Sequence, residues 1–246
     1  MTRMAQAGMN LARMNLSHGD HDFHRLTVER ARQVAADLER PIGVLLDLQG
    51  PKIRTGKIGE QEILLKKDES IRLTGKKLEG DRNVLSVNYP RLPQEVRKGE
   101  RILLDDGNIE LRVTDIREDS VVCRIVNSGV IRSYRGVNLP ESDISISAVT
   151  EKDVRDLYFG LDNEVDYVAL SFVRRPADVA QLRELMARKK KNIPIIAKIE
   201  KPEAIQNIDG IIREADGVMV ARGDLGAETT PQDVPIFQKM IIRKCI

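Results

Sequence analysis

The sequence predicts an α/β domain built on a parallel sheet and interrupted by an all-β insertion. Three observations carry this. Short apolar runs recur at residues 9–14, 42–48, 166–171, 194–199 and 216–220, and near-continuous apolar runs are the mark of strands buried on both faces of a parallel sheet. Between these runs the apolar residues return at helical spacing. From about 52 to 145 the rhythm changes to short strand-like runs punctuated by turn signals.

Taken in order, the first run is followed by Phe23, Leu26, Val34 and Leu38 at roughly helical spacing, with Arg and Glu on the opposite face, which predicts a helix burying those four side chains. After the run at 42–48 the insertion offers strands at 62–65, 70–73, 84–87, 101–104, 109–113 and 121–125. Thr74 with Gly75, Lys98 with Gly99 and Asp106 with Gly107 supply turns. Thr150 to Asp153 reads as an N-cap box with acids in the first turn. Val179, Leu182, Leu185 and Met186 mark a further helix, as do Ile205, Ile208, Ile211 and Ile212, and 234–246 a last one. The last three strands start ~22 to ~28 residues apart, the spacing of βα units. The expected boundaries are 1–51 and 146–246 for the α/β domain, with the all-β domain at 52–145. Without the insertion about 150 residues remain, against about 250 for a closed eight-unit barrel. On the residues alone, an open five-stranded sheet and an incomplete barrel both stay open.

Composition narrows the function classes. Of 246 residues 41% are hydrophobic and 32% charged, with a net charge of +2 and the two signs interspersed. No basic stripe favours nucleic acid, and aromatic residues at 3% leave little for base stacking. Cys123 and Cys245 lie far apart without a CxxC pattern, so neither a disulfide framework nor a zinc site is expected, and a reducing, cytoplasmic setting fits best. No apolar run approaches the ~20 residues that span a bilayer, and residues 1–10 contain no secretory apolar region. Neither a nucleic acid nor a membrane is an expected partner.

Chemistry-bearing groups collect at the ends of the apolar runs. Lys198 ends one, followed by Glu200, and Asp224 follows another. Arg13 lies inside the first run, where a buried guanidinium would need a partner. The segments around them are AGMNLARMNLSHG (7–19), LDLQGPKIRTG (46–56), GVNLP (136–140), VALSFVR (168–174), IIAKIE (195–200) and MVARGDLG (219–226). In order, spacing and wording these resemble pyruvate kinase, and the resemblance runs through the tail QKMIIRKC (238–245). It implies a partial (β/α)8 barrel carrying strands two to six, with a β-barrel lid domain inserted. The first strand, strands seven and eight and the C-terminal regulatory domain of that family would lie outside the chain. So would the family's threonine beside the reacting carbon.

The resemblance also implies a chemistry: phosphoryl transfer from phosphoenolpyruvate to ADP, giving pyruvate and ATP in glycolysis. Such a step needs positive charge around the equatorial oxygens and metal ions to position the reactants. Lys198 resembles the lysine that neutralises the moving phosphoryl group, with Arg13 as a phosphate-binding partner. Glu200 and Asp224 match the two ligands of an essential Mg2+ (or Mn2+), hard oxygens of the kind that ion takes. Gly223 and Asp224 match the backbone that holds the substrate carboxylate, just before a turn toward the last helix. Asn15, His18, Arg54 and Arg135 match nucleotide-binding positions, although the family commonly has lysine at Arg135. Asn15, Ser17, Asp47 and the carbonyl of Leu48 match a monovalent-cation site where threonine is usual at Leu48. Lys52 stands where members with glutamate tend to need K+ and members with lysine do not, so K+ independence is expected. For the complete enzyme the resemblance also implies a homotetramer.

The bland alternatives are concrete. A strand-end lysine can simply reach solvent, a single carboxylate more commonly caps a helix, and Arg222, Gly223 and Asp224 need not be an adhesion motif in an apolar strand context. His18, His21 and His24 form HxxHxxH, whose spacing only partly shares a helix face. Two other functions compete: a Mg2+-dependent pyruvate-enolate lyase or aldolase, and a non-catalytic remnant. With strands lacking, the isolated 246 residues are expected to show little or no turnover.

Overall fold

In the computed structural model, which describes residues 1–142 and 144–246, the chain opens with α1 (Thr2–Gln6), β1 (Leu11–Asn15), α2 (His21–Asp37) and β2 (Gly43–Asp47). An all-β stretch follows: β3 (Ile63–Leu65), β4 (Ser70–Thr74), β5 (Val84–Ser86), the short α3 (Leu92–Glu95), β6 (Arg101–Leu104), β7 (Ile109–Arg117), β8 (Ser120–Ile125), β9 (Gly129–Ile131) and β10 (Val137–Asn138). Then come α4 (Glu151–Asp162), β11 (Tyr167–Leu170), α5 (Pro176–Arg188), β12 (Ile195–Ile199), α6 (Pro202–Gln206), α7 (Ile208–Glu214), β13 (Gly217–Val220), α8 (Arg222–Glu228) and α9 (Val234–Cys245).

By contact the chain divides into two units. One comprises Met1–Pro51, Ser147–Ala221 and Phe237–Ile246, the other Lys52–Ile146 and Arg222–Ile236. Segment Arg222–Ile236 thus groups with the all-β stretch, although the boundary read from the sequence keeps 146–246 together.

The first unit is a five-stranded parallel sheet in the order β1-β2-β11-β12-β13. Strand order follows chain order because each crossover helix packs back beside the strand it left. The helices seat Val28, Ala31, Val34, Leu157, Leu161, Val179, Leu182 and Ile211 in one apolar core with the strands. Thr150 and Asp153 form a reciprocal capping box on α4. Gly160 on that helix has no room for a Cβ, which would meet Leu46 Cδ2 at 2.5 Å. The second unit holds a six-stranded sheet, β10-β6-β7-β8-β4-β5, and the two-stranded β3-β9, over its own core of Ile71, Leu73, Ile102, Leu111 and Cys123.

Several expectations need correction. Strand β1 alternates exposed and buried residues, so Arg13 is not engulfed by an apolar run. Strand β13 is only partly buried along its length, because it is an edge strand with β12 on one side. On α2 the buried stripe is His24, Val28, Ala31 and Val34, while Phe23 and Leu26 face solvent. Small Ala31 lets the helix approach, and His24 is admitted because its Nε2 donates to the His18 carbonyl at 2.8 Å. The single helix read from Ile205 to Ile212 is two, broken at Asn207, whose Nδ2 donates to the Arg174 carbonyl at 2.9 Å. The short strands β9 and β10 carry too few residues to show a period, and β7 runs on past its expected end through a bulge between Val113 and Asp115.

A repeated clasp fixes the N-terminal ends of the strands. Asp166, just before β11, accepts the Val44 N–H at 2.6 Å and Arg32 Nη1 at 2.9 Å, and Arg32 Nη2 reaches the Glu164 carbonyl at 2.6 Å. Asp216, just before β13, accepts the Ile195 N–H at 2.8 Å and Arg183 Nη2 at 3.1 Å, and the same nitrogen reaches the Glu214 carbonyl at 2.8 Å. The Ile195 amide, helped by Arg183, holds the Asp216 carboxyl below the usual range against the opposing effect of burial. Such a group contributes stability above its unfolded pKa that is lost as pH falls through the folded one. Asp216→Asn is expected to cost about 1–2 kcal/mol near neutrality, discounted for partial exposure. That lowers the thermal midpoint by roughly 2–6 °C. The gap between variant and parent should close as pH drops below about 4, read by thermal melts across pH.

Candidate active site

The C-terminal ends of the parallel strands gather charge. Asn15 and Asp47 end β1 and β2 in register, Ser171 follows β11, and Lys198 and Glu200 lie at the end of β12. Lys198 is 7% exposed, yet its ammonium is fully engaged: Nζ donates to Ser171 Oγ at 2.7 Å, and lies 3.1 Å from Asp47 Oδ1 and 3.0 Å from Glu200 Oε1. The Asp47 contact is an ion pair without hydrogen-bond alignment, which leaves Oδ1 a buried oxygen lacking a hydrogen bond. Burial alone would push the lysine pKa down, but the charges of Glu200 and Asp47 outweigh it and raise it, so the ammonium is fixed.

The other predicted groups of the first unit have the following partners. Arg13 clamps Asp47 Oδ2 with Nε at 2.7 Å and Nη2 at 2.5 Å, while half of its side chain stays exposed. Ser171 Oγ donates in turn to the Leu48 carbonyl at 2.7 Å. The Asn15 side chain accepts the Ser17 N–H at 3.0 Å. Three of the four groups matched to a monovalent-cation site are therefore engaged internally: Asp47 by two cations, Leu48 by a hydroxyl, Asn15 by an amide. His18 is exposed. His21 bonds Asp156 at 2.8 Å and stacks on Phe159, and His24 turns inward, so the three imidazoles do not converge.

Two residues of this cluster carried no sequence assignment. Ser171 bridges Lys198 to β2, and its only signal was its place in VALSFVR. Phe172 holds φ at +56° while its N–H donates to Glu200 Oε2 at 3.0 Å. A buried aromatic in the left-handed region is costly. It is matched by Gly50 at φ +68°, where a Cβ would meet Phe172 Cδ2 at 2.8 Å. The Gly50 N–H in turn donates to the capping carboxylate of Asp153 at 3.0 Å.

The second unit carries the other candidates. Arg54 donates Nη1 to the Tyr134 carbonyl at 3.1 Å. Arg135 Nε lies 3.6 Å from Asp105 Oδ1. Gly223 and Asp224 sit in the first turn of α8 rather than before a turn, with open space at Gly223. Lys52 Nζ stands 3.7 Å from Asp224 Oδ1. Glu200 and Asp224 fall in different units. Among the described residues no group of three or more His, Cys, Asp or Glu side chains could hold a metal ion. A pair of carboxylates completed by water and substrate oxygens is the usual manner for Mg2+, and both side chains are hard oxygen donors of that kind. No helix of the described residues is long and apolar enough to cross a membrane.

Comparison with known proteins agrees with the motifs. The family model for the pyruvate kinase barrel domain matches residues 1–246. Pyruvate kinase 2 of Synechocystis is 45% identical, covering 98% of this chain and 42% of its own length. Pyruvate kinase of Staphylococcus haemolyticus is 44% identical over 100% of this chain and 42% of its own. That of Mycobacterium tuberculosis is 45% identical over 98% and 51%. The chain thus spans about half the length of these relatives or less. By sequence over its whole length, this chain belongs to the pyruvate kinase family.

Proposed function

We propose that these residues serve phosphoryl transfer from phosphoenolpyruvate to ADP, on a partial (β/α)8 barrel whose all-β insertion acts as a lid. The observation that carries this is the buried, permanently charged Lys198 at the strand ends. In the reaction the enol ester O–P bond breaks as a β-phosphate oxygen of ADP bonds to phosphorus. The enolate left behind then takes a proton at carbon to give pyruvate. Lys198 neutralises negative charge at the bridging and equatorial oxygens, in a dry site where a fixed cation acts strongly. Arg13 presents its exposed guanidinium edge to a phosphoryl oxygen while Asp47 holds its other edge. Arg54, Arg135, Asn15 and His18 receive the nucleotide, and the Gly223 and Asp224 backbone receives the substrate carboxylate. Glu200 and Asp224 would hold Mg2+ or Mn2+, which when bound supplies Lewis-acid polarisation of the enolate oxygen.

Monovalent-cation independence rests on Lys52, a lysine at the position where family members with glutamate tend to need K+. The engagement of the Asp47, Leu48 and Asn15 oxygens by protein donors supports the same reading.

The gene product carrying this sequence is expected to release pyruvate from phosphoenolpyruvate only with ADP present, followed with lactate dehydrogenase and NADH. Equal release without ADP would point to lyase chemistry instead. The 246 residues alone are expected to turn over little, since β1 and β13 each pair on one side and leave the sheet open. In the active gene product, Lys198→Met should lower kcat by about 10²–10³, with a far smaller change in the KM for ADP. Exchanging K+ for tetramethylammonium at constant ionic strength should leave the rate within about two-fold; a many-fold drop would remove Lys52 from this role.

A further inference from the structure

Within the second unit a cavity of about 760 Å³ lies apart from the groups discussed above, apart from Arg54 at its wall. Its size is that of small-molecule pockets. Leu78, Val87 and Pro90 give it apolar walls. Three lysines line it as well, and their charges are not equivalent. Lys57 is paired with Glu79 at 3.1 Å and Lys76 with Asp119 at 2.5 Å. Lys77 has no carboxylate partner among the described residues, so the cavity holds one uncompensated ammonium.

Tyr134 also lines the cavity. The residue is 60% exposed and its φ is +62°, a conformation that a bulky side chain adopts only when its surroundings impose it. They do so here: the Tyr134 N–H donates to the Gly56 carbonyl at 3.2 Å, and its carbonyl accepts Arg54 Nη1 at 3.1 Å. Gly56 itself has no room for a Cβ against Ser86. An exposed aromatic residue thus stands at the cavity on a backbone held by these bonds.

We propose that this cavity binds a small aromatic anion, a planar ring against Tyr134 and the apolar wall with its charged group on Lys77. Ring stacking on Tyr134 and one charge-assisted contact in a partly apolar site supply the recognition. The site does not rest on the catalytic reading above, with which it shares only Arg54 at its wall; the ligand's charge is placed on Lys77 instead.

The probe is 8-anilinonaphthalene-1-sulfonate, titrated by fluorescence into the full chain. Saturable binding is expected. Lys77→Glu should weaken it about 10-fold, the loss of one such contact. Tyr134→Gly should weaken it several-fold without lowering the thermal midpoint, because glycine accepts φ +62° freely. The uncharged N-phenyl-1-naphthylamine should bind more weakly than the sulfonate, and ADP should not displace the probe. Unchanged affinity in either variant, equal binding of the neutral ring, or displacement by ADP would each overturn the proposal.

Discussion

The architecture of the strand ends depends on one buried ammonium between two buried carboxylates. Lys198, Asp47 and Glu200 come from β12, β2 and the residue after β12, and none could be buried by itself. Removing one member of such a group strands the others and costs about 3–5 kcal/mol. Arg13 offsets the second carboxylate oxygen of Asp47, so that two cations share one acid while the arginine keeps an edge in solvent. The same contacts that let the charges exist indoors also tie β1, β2, β11 and β12 together at one end.

That end is also where the backbone departs from easy conformations. Phe172 at φ +56° directs its N–H onto Glu200, and the aromatic ring is tolerated only because Gly50 lacks a side chain. Gly50 is in turn held by Asp153, the residue that caps α4. One carboxylate therefore serves helix initiation and the loop beside the charged cluster at once. Strain at this point is sustained by a helix cap two elements away in sequence.

Much of this was legible in the residues. Parallel strands announce themselves as apolar runs: burial makes β2, β11 and β12 near-continuously hydrophobic, and the edge strands β1 and β13 keep enough apolar residues to be seen although they are less buried. Lys198 and Glu200 were legible because charged groups at the ends of such runs are anomalous, whereas Asp47 was picked out only by the family resemblance. What stayed hidden depends on three-dimensional packing. The α2 stripe uses His24 and Ala31, which no hydrophobicity pattern selects over Phe23 and Leu26. Asn207 breaks a helix through a bond to the distant Arg174 carbonyl. Arg13 looked engulfed, yet an alternating edge strand leaves it half in water. Ser171 gave no sign of its bridging role, since serine is ordinary at a strand end.

The paired aspartate–arginine clasps at the opposite ends of the strands bear on how the sheet finds its alignment. In a buried sheet, sliding a strand by one residue reverses its faces and is rejected by the hydrophobic pattern. Sliding by two preserves inside and outside, so hydrophobicity offers little discrimination against it. Asp166 and Asp216 do discriminate: each must meet a particular neighbouring amide, Val44 or Ile195, while an arginine from the helix that precedes that amide's strand holds its other face. A two-residue slip would leave that acid and that arginine without their amide. The clasps thus act as error checks during folding, rejecting the misalignments that greasy strands would otherwise accept.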